Sequence, residues 1–178
     1  VQGSGTFVRK VGVLATSFGL DALGEVFSDR ENLSVRIIDA SVKRTLGVER
    51  EVLGLSDDET MIAVERVIFH NDEPFTLHVS YSGFDPETPT VESMLDTVVL
   101  TSLMFQDGYS NFKKGELKLL PVVLDSREAE LLKVEPGACG FKLEHLFYDF
   151  EDKPAAYGWF LVSQENMPLV SRVGVWNG

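Results

Sequence analysis

The sequence predicts an α+β domain in which helices flank one antiparallel sheet, and three observations lead to this fold class. The 178 residues are 44% hydrophobic and 25% charged, which is the composition of an ordinary globular protein long enough to bury a core. One segment of the chain occurs twice. Within each copy, residue types alternate over two runs separated by a turn, as they do in a β-hairpin.

The duplication constrains the topology more than local propensity does. The stretch LGLSDDETMIAVERVIFHNDEPFTLHVSY, which begins at Leu53, aligns with LKVEPGACGFKLEHLFYDFEDKPAAYGWFL, which begins at Leu132. The offset is about 79 residues, with one insertion near Glu151. Each half therefore contains the same parts in the same order.

Each unit begins with a short charged helix. The first is predicted from Val48 to Leu53 and the second from Ser126 to Leu132. Asp125 and Glu128 have the spacing of a capping box, in which each side chain accepts a hydrogen bond from the other residue's backbone N–H. The second helix is therefore expected to begin directly after Asp125.

A hairpin follows each helix. In the first copy one face of the first strand carries Ile62, Val64, Arg66 and Ile68, and the other carries Ala63, Glu65, Val67 and Phe69. Phe141 to Tyr148 matches this strand in the second copy. An acidic turn that ends in proline, Asn71 to Pro74 or Glu151 to Pro154, leads into the second strand. Because neither unit buries a face alone, the two hairpins are predicted to share one sheet with approximate twofold symmetry.

Three further segments complete the predicted order. Residues 20–27 carry leucine and phenylalanine at the spacing of a short amphipathic helix. Pro89 to Phe105 fits a helix, but its Val-Val-Leu-Thr run also suits a strand, and both assignments stay open. Phe112 to Val123 is predicted to be a strand that leads into the second unit, with a break at Lys114-Gly115.

Charge and cysteine content exclude several classes of function. A formal net charge of −12 at pH 7 repels phosphate backbones, so these residues are not expected to bind nucleic acid by themselves. Cys139 is the single cysteine and cannot form an internal disulfide, and the first residues lack the pattern of a signal peptide. The longest apolar stretches, such as Val98 to Phe105, are too short to cross a bilayer. A cytoplasmic protein with no membrane role fits these features.

The ordered set of motifs resembles the UTRA domain of GntR-family transcription regulators of the HutC subfamily. Such domains repeat a helix, a PG turn and a hairpin of the pattern xxRIERxxxxDGxP, and their second copy ends DxxGxPxEYSxSYYR. The likeness runs from about Leu20 to Gly174. The matching segments are AVER at 63–66, DEP at 72–74, EPG at 135–137, KLEH at 142–145, YD at 148–149 and KP at 153–154.

The first residues add to the resemblance. Val1 to Val8 reads VQGSGTFV, and the wing of the winged helix-turn-helix domain in this family commonly ends RQGxGTFV. On this resemblance, residues 1–10 are the end of the wing and the linker, and residues 11–178 are the UTRA ligand-binding and dimerisation domain. An ordinary glycine turn and a remnant of cloning are the alternatives.

The resemblance implies a cytoplasmic bacterial transcription regulator, either a repressor or an activator, whose C-terminal domain binds a small-molecule effector and forms a homodimer. The implied fold is that of chorismate lyase, with the ligand between the sheet and covering loops. DNA would be bound through the missing N-terminal winged helix-turn-helix domain. Ligand binding would change the spacing of the two winged helices on a palindromic operator.

The resemblance also implies which residues line the pocket. In relatives that sense sugar phosphates, two arginines of the first hairpin bind the ligand. The first falls on Arg66, which suits a carboxylate or phosphate because a guanidinium makes bidentate contacts, whereas the second falls on Ile68. The family's return-strand carboxylate falls on His78, and Ser80 points to the same side of that strand.

In the last hairpin the family's Glu and Tyr fall on Ala156 and Val162, with Gly158 and Phe160 between them on the same face. The family's central Ser-x-Tyr pair falls near residues 98–100. Apolar residues therefore occupy most of the positions at which the family has polar ligand-binding side chains. This pattern predicts an effector with a carboxylate and an apolar body, smaller and less hydrated than a sugar phosphate.

Each site residue also has a structural alternative. Arg66 beside Glu65 suits a surface ion pair, and His78 suits a hydrogen-bonded strand residue without a ligand. Phe160 belongs to the core in one strand parity and to the pocket or a dimer surface in the other. His70, His78 and His145 lack the short spacings of metal sites, and no G-x-S-x-G nucleophile motif is present. No catalytic residue, metal or cofactor is therefore predicted.

Two other functions stay open. An enzyme of the chorismate lyase type shares the implied fold and binds an aromatic carboxylate through arginine. A domain that has lost its ligand and only dimerises is the other. The VQGSGTF segment and the visible duplication favour the regulator.

Overall fold

The computed structural model of the chain describes residues 30–44, 47–84 and 112–166, and within them six strands form one antiparallel sheet. The predicted α+β class is confirmed. After a short 3-10 helix at Arg30–Asn32, the elements are β1 (Leu33–Lys43), α1 (Val48–Leu53), β2 (Met61–His70), β3 (Glu73–Gly83), β4 (Lys114–Val123), α2 (Ser126–Leu132), β5 (Cys139–Tyr148) and β6 (Pro154–Ser163).

The strand order β1-β2-β3-β6-β5-β4 reads symmetrically from its centre. Each half contributes a strand, a helix and a hairpin in that sequence. The halves meet between β3 and β6, where Val79 pairs with Trp159. These two residues are also equivalent positions of the repeat, once the insertion in the second turn is counted. The prediction of two hairpins in one sheet, related by an approximate twofold axis, is confirmed.

Both predicted helices form with the predicted bounds. The capping box at α2 is present: Glu128 N donates to Asp125 Oδ1 at 2.8 Å, and Asp125 N donates to Glu128 Oε2 at 2.9 Å. Within the described residues, neither helix has the length and apolar content needed to span a membrane.

Strand β1 is absent from the predicted elements. Its sequence, LSVRIIDASVK, lacks a clean alternation because a bulge between Ile37 and Asp39 shifts the pairing with β2 by one residue. As an edge strand it also keeps both faces partly exposed, so neither face requires a continuous apolar set.

The predicted break at Lys114-Gly115 is wrong. Both residues belong to β4 and pair with Tyr148 and Phe147. A Cβ atom added to Gly115 would collide with the ring of Phe147. The glycine therefore makes room for an aromatic side chain of the neighbouring strand instead of interrupting its own.

The two faces of the sheet bury different sets of side chains. The helix face is packed against α2, and its core is Val67, Leu77, Leu124, Ala129, Leu132 and Leu161. The opposite face, called the arginine face here because Arg66 lies on it, has a core of Ile68, Phe75, Leu143, Phe160 and Val162. The predicted helix at 20–27, the open segment at 89–105 and the N-terminal residues 1–10 lie outside the described residues.

Candidate ligand-binding site

The predicted site residues lie together on the arginine face, on the central strands β2, β3 and β6. The strand register sets this arrangement: the paired residues are Arg66 with His78, Ile68 with Thr76, His78 with Phe160, and Ser80 with Gly158. All six predicted residues are buried. The predicted pocket residues are thus neighbours in space, and their contact with a ligand stays a prediction.

Arg66 is a buried cation. Only 4% of its surface is exposed, and its Nε–H donates a hydrogen bond to His78 Nδ1 at 3.0 Å. Burial lowers the pKa of Arg66 to about 10, so the guanidinium keeps its charge at neutral pH. The alternative of a surface ion-pair residue is wrong, because Arg66 is buried. Glu65 lies on the helix face, where both of its carboxylate oxygens accept hydrogen bonds from Arg127 at 2.7 and 2.6 Å.

His78 is hydrogen-bonded through both ring nitrogens. Its Nδ1 faces Arg66, and its Nε2 lies 3.1 Å from Nε2 of His145. Its ring stacks on Phe160 with a centroid separation of 4.1 Å and an interplanar angle of 17°. His78 is therefore held in one orientation before any ligand binds.

His145 joins this cluster of candidate site residues, and the sequence analysis did not include it. Separated from His78 by 67 residues in sequence, it nevertheless contacts that side chain directly. The wide spacing of these two histidines along the sequence therefore does not separate them in the fold. One signal was available: His145 follows Arg66 by the 79-residue offset of the repeat, so the two occupy equivalent positions on β2 and β5.

The donor direction of this chain of side chains is fixed. A guanidinium has no acceptor, so His78 must accept at Nδ1 and carry its proton on Nε2. His78 then donates to Nε2 of His145, which in turn must carry its proton on Nδ1. Burial, followed by the charge of Arg66, lowers the pKa of His78 well below 6.5 and that of His145 to about 3. Both rings are neutral at pH 7.

Gly158 faces His145 across the β5–β6 pair. A Cβ atom at this position would collide with the carbonyl oxygen of Val79 and lie 3.0 Å from Cε1 of His145. The glycine is therefore required for the close approach of the two central strands and for the position of the His145 ring.

The parity of β6, which the sequence left open, is resolved. Phe160 lies on the arginine face with Ala156, Gly158 and Val162, all of them buried. Trp159 packs on the opposite side, in the helix-face core. The alternation predicted for this strand is confirmed.

A concavity of about 250 Å³ on the other side of the sheet is lined by Glu65, Tyr81, Arg127 and Trp159, among others. In its lining, the guanidinium of Arg127 is already paired with the carboxylate of Glu65. Within the described residues, no group of three or more His, Cys, Asp or Glu side chains is arranged to hold a metal ion. The family positions near residues 98–100 fall outside the described residues.

Comparison with known proteins gives a family model and several solved structures. The model of the UTRA domain matches residues 28–167. The effector domain of PhnF from Mycobacterium smegmatis is 18% identical with a TM-score of 0.64, covering 82% of this chain and 91% of that one. The C-terminal domain of the histidine utilization repressor from Pseudomonas syringae is 12% identical with a TM-score of 0.64, covering 80% and 99%.

A possible transcriptional regulator, YydK from Bacillus subtilis, is 21% identical with a TM-score of 0.61, and the match covers 80% of this chain. The match spans 63% of the length of YydK, less than two thirds. At these identities the structural likeness shows a shared fold. Comparison by sequence with curated proteins gave no significant match.

The neutral histidines predict acid-sensitive stability. The unfolded chain binds protons on both below about pH 6.5, whereas the folded chain does not, so their stabilising contribution is complete above pH 6.5 and is lost progressively as pH falls, down to about pH 3 for His145. In this window, protonation of each histidine in the unfolded chain lowers the unfolding free energy by up to about 1.4 kcal/mol per pH unit.

Urea denaturation at about pH 7 and about pH 5 measures this loss of unfolding free energy. His145→Gln should reduce this loss, and the control His70→Gln, at the end of β2, should retain it; equal stability at both pH values would contradict the prediction.

Gly158→Ala is expected to lower the unfolding free energy by about 1–3 kcal/mol, because the added methyl group overpacks two adjacent strands. Gly83→Ala is the matched control on β3, where the nearest atom to an added Cβ is Leu55 Cδ2 at 3.5 Å. Thermal denaturation of both variants measures the difference. A Gly158→Ala variant as stable as Gly83→Ala would show that the strands are not held this closely.

Proposed function

This chain belongs to the UTRA domain family, and on that premise we propose that it is the effector-sensing domain of a bacterial GntR-family transcription regulator of the HutC type. The observation that carries the proposal is a buried guanidinium, Arg66, held by a histidine on a sheet face that also carries the apolar core of Ile68 and Phe160. This arrangement suits recognition of an anionic group on a small molecule.

The proposed effector is a carboxylate with an apolar body. Arg66 retains its charge and offers a planar array of donors that fits a carboxylate. Ile68 and Phe160 belong to the apolar core of the same face and provide surface for a hydrocarbon or aromatic group. The position where sugar-phosphate sensors carry a second arginine holds Ile68, so one positive charge faces the ligand from this strand. A singly charged carboxylate matches that charge better than a phosphate dianion does.

The rest of the proposed regulator lies beyond this domain. Residues 11–178 would form the ligand-binding and dimerisation domain, and residues 1–10 the end of a wing with its linker. Because a net charge of −12 repels the phosphate backbone, it supports the proposal that a separate winged helix-turn-helix domain contacts DNA. The regulator would act in the cytoplasm as a homodimer, with ligand binding altering its affinity for the operator.

Titration calorimetry tests the effector class. An aromatic acid such as benzoate is expected to bind more tightly than a hexose 6-phosphate. Arg66→Met should weaken that binding by about 10- to 100-fold, because a charge-assisted hydrogen bond contributes about 1.5–3 kcal/mol. Arg127→Met removes an arginine from the opposite face and should leave the affinity unchanged. Tighter binding of the phosphosugar, or equal losses in the two variants, would refute the assignment.

We also propose that the domain is not an enzyme of the chorismate lyase type. General base catalysis needs a free lone pair, but His78 Nδ1 accepts from Arg66 and His145 Nε2 accepts from His78. The purified chain is therefore expected to release no pyruvate from chorismate above background in a coupled lactate dehydrogenase assay. Steady turnover that disappears in Arg66→Met would overturn this view.

A further inference from the structure

We propose that His145 contacts the effector directly, by donating its Nδ1–H to a carboxylate or carbonyl oxygen of the ligand. The inference rests on the proposed function, because it takes the arginine face to be the ligand pocket. It adds a recognition residue from the second half of the repeat, on a strand from which no ligand contact was predicted.

The first step is the direction of the hydrogen bonds. Arg66 can only donate, and this forces His78 to accept at Nδ1 and to donate from Nε2. His145 accepts that bond at its own Nε2, so its proton resides on Nδ1. The chain of side chains therefore begins at a guanidinium and ends at an N–H group of His145.

The second step is that this last donor has no hydrogen-bond partner within the described ranges. Among the described residues, Nδ1 of His145 is a buried polar atom without a hydrogen bond, in a residue that is 3% exposed. The large majority of buried side-chain polar atoms in proteins are hydrogen-bonded, because an unsatisfied buried donor destabilises the folded chain. A ligand oxygen at this position would remove that destabilisation, so binding would be favoured there over an apolar group.

The third step is the chemistry of the surroundings. The charge of Arg66 polarises the linked imidazoles and strengthens the terminal N–H as a donor. The ring of His145 stacks on Phe147 at 5.0 Å and lies 5.5 Å from the ring of Phe160, measured between centroids. An acceptor oxygen on an aromatic or aliphatic body fits a polar donor flanked by two phenyl rings.

The tautomer is tested directly in the unliganded chain by two-dimensional ¹⁵N–¹H NMR of the imidazole nitrogens. The expected result is a protonated Nε2 on His78 and a protonated Nδ1 on His145. A proton on Nε2 of His145 would overturn the inference without touching the proposed function.

The contact is tested by titrating the same sample with a panel of benzoate, phenylacetate, 4-hydroxybenzoate and hexanoate. Binding is expected to shift the Nδ1–H resonance of His145 downfield.

His145→Gln keeps an acceptor for His78 but loses the donor at the Nδ1 position, and it should weaken binding about ten-fold or more. His145→Asn places an amide near Nδ1 and should bind more tightly than His145→Gln, with His70→Gln as the control. Thermal melts establish that each variant is folded.

The outcomes separate the two ideas. Binding that depends on Arg66 but leaves the His145 resonance and the His145→Gln affinity unchanged refutes the contact and leaves the sensor function standing. Failure of all four acids to bind refutes the proposed effector class, and the contact falls with it.

Discussion

The hydrogen bonds of the candidate site depend on one chemical constraint, which is that a guanidinium donates hydrogen bonds and never accepts them. Arg66 is buried, and its donation to His78 determines the tautomer of that ring and, through it, the tautomer of His145. Protonation of either ring would place two donors against each other, so the cluster holds one positive charge across the neutral pH range. Arg66 thus sets the hydrogen-bond geometry of both histidines, and its charge adds to burial, the main cause of their lowered pKa values.

Strand alternation places the Arg66 side chain on the face that carries the other candidate site residues. Glu65 and Arg66 are adjacent in sequence, yet their side chains lie on opposite faces of β2 and have separate partners. The Glu65 carboxylate binds Arg127 of helix α2, whose side chain is exposed, and an ion pair at such a position contributes little to stability. Alternation therefore separates the Arg66 guanidinium from the Glu65 carboxylate and places it with His78 on the arginine face.

Much of this arrangement is predictable from the sequence, because it follows from local periodicity and from the duplication. The twin hairpins, both short helices, the cap at Asp125 and the shared face of Arg66 and Ile68 all follow from patterns within about ten residues. Edge strand β1 does not, since a bulge breaks its alternation and half-exposure removes the apolar signal. The parity of β6 was equally undetermined, because both of its faces carry aromatic residues and only pairing with β3 distinguishes them.

His145 shows why the candidate site was the least predictable part. Its contact with His78 joins strands from different halves of the chain and depends on the register across the centre of the sheet, which no local pattern encodes. The duplication did encode its place, since it is the counterpart of Arg66. The two equivalent positions have diverged into a cation and a neutral ring, and the neutral ring is the one whose outer nitrogen lacks a partner among the described residues. A pseudo-symmetric scaffold thus presents two unlike donors on one face, as recognition of an asymmetric ligand requires.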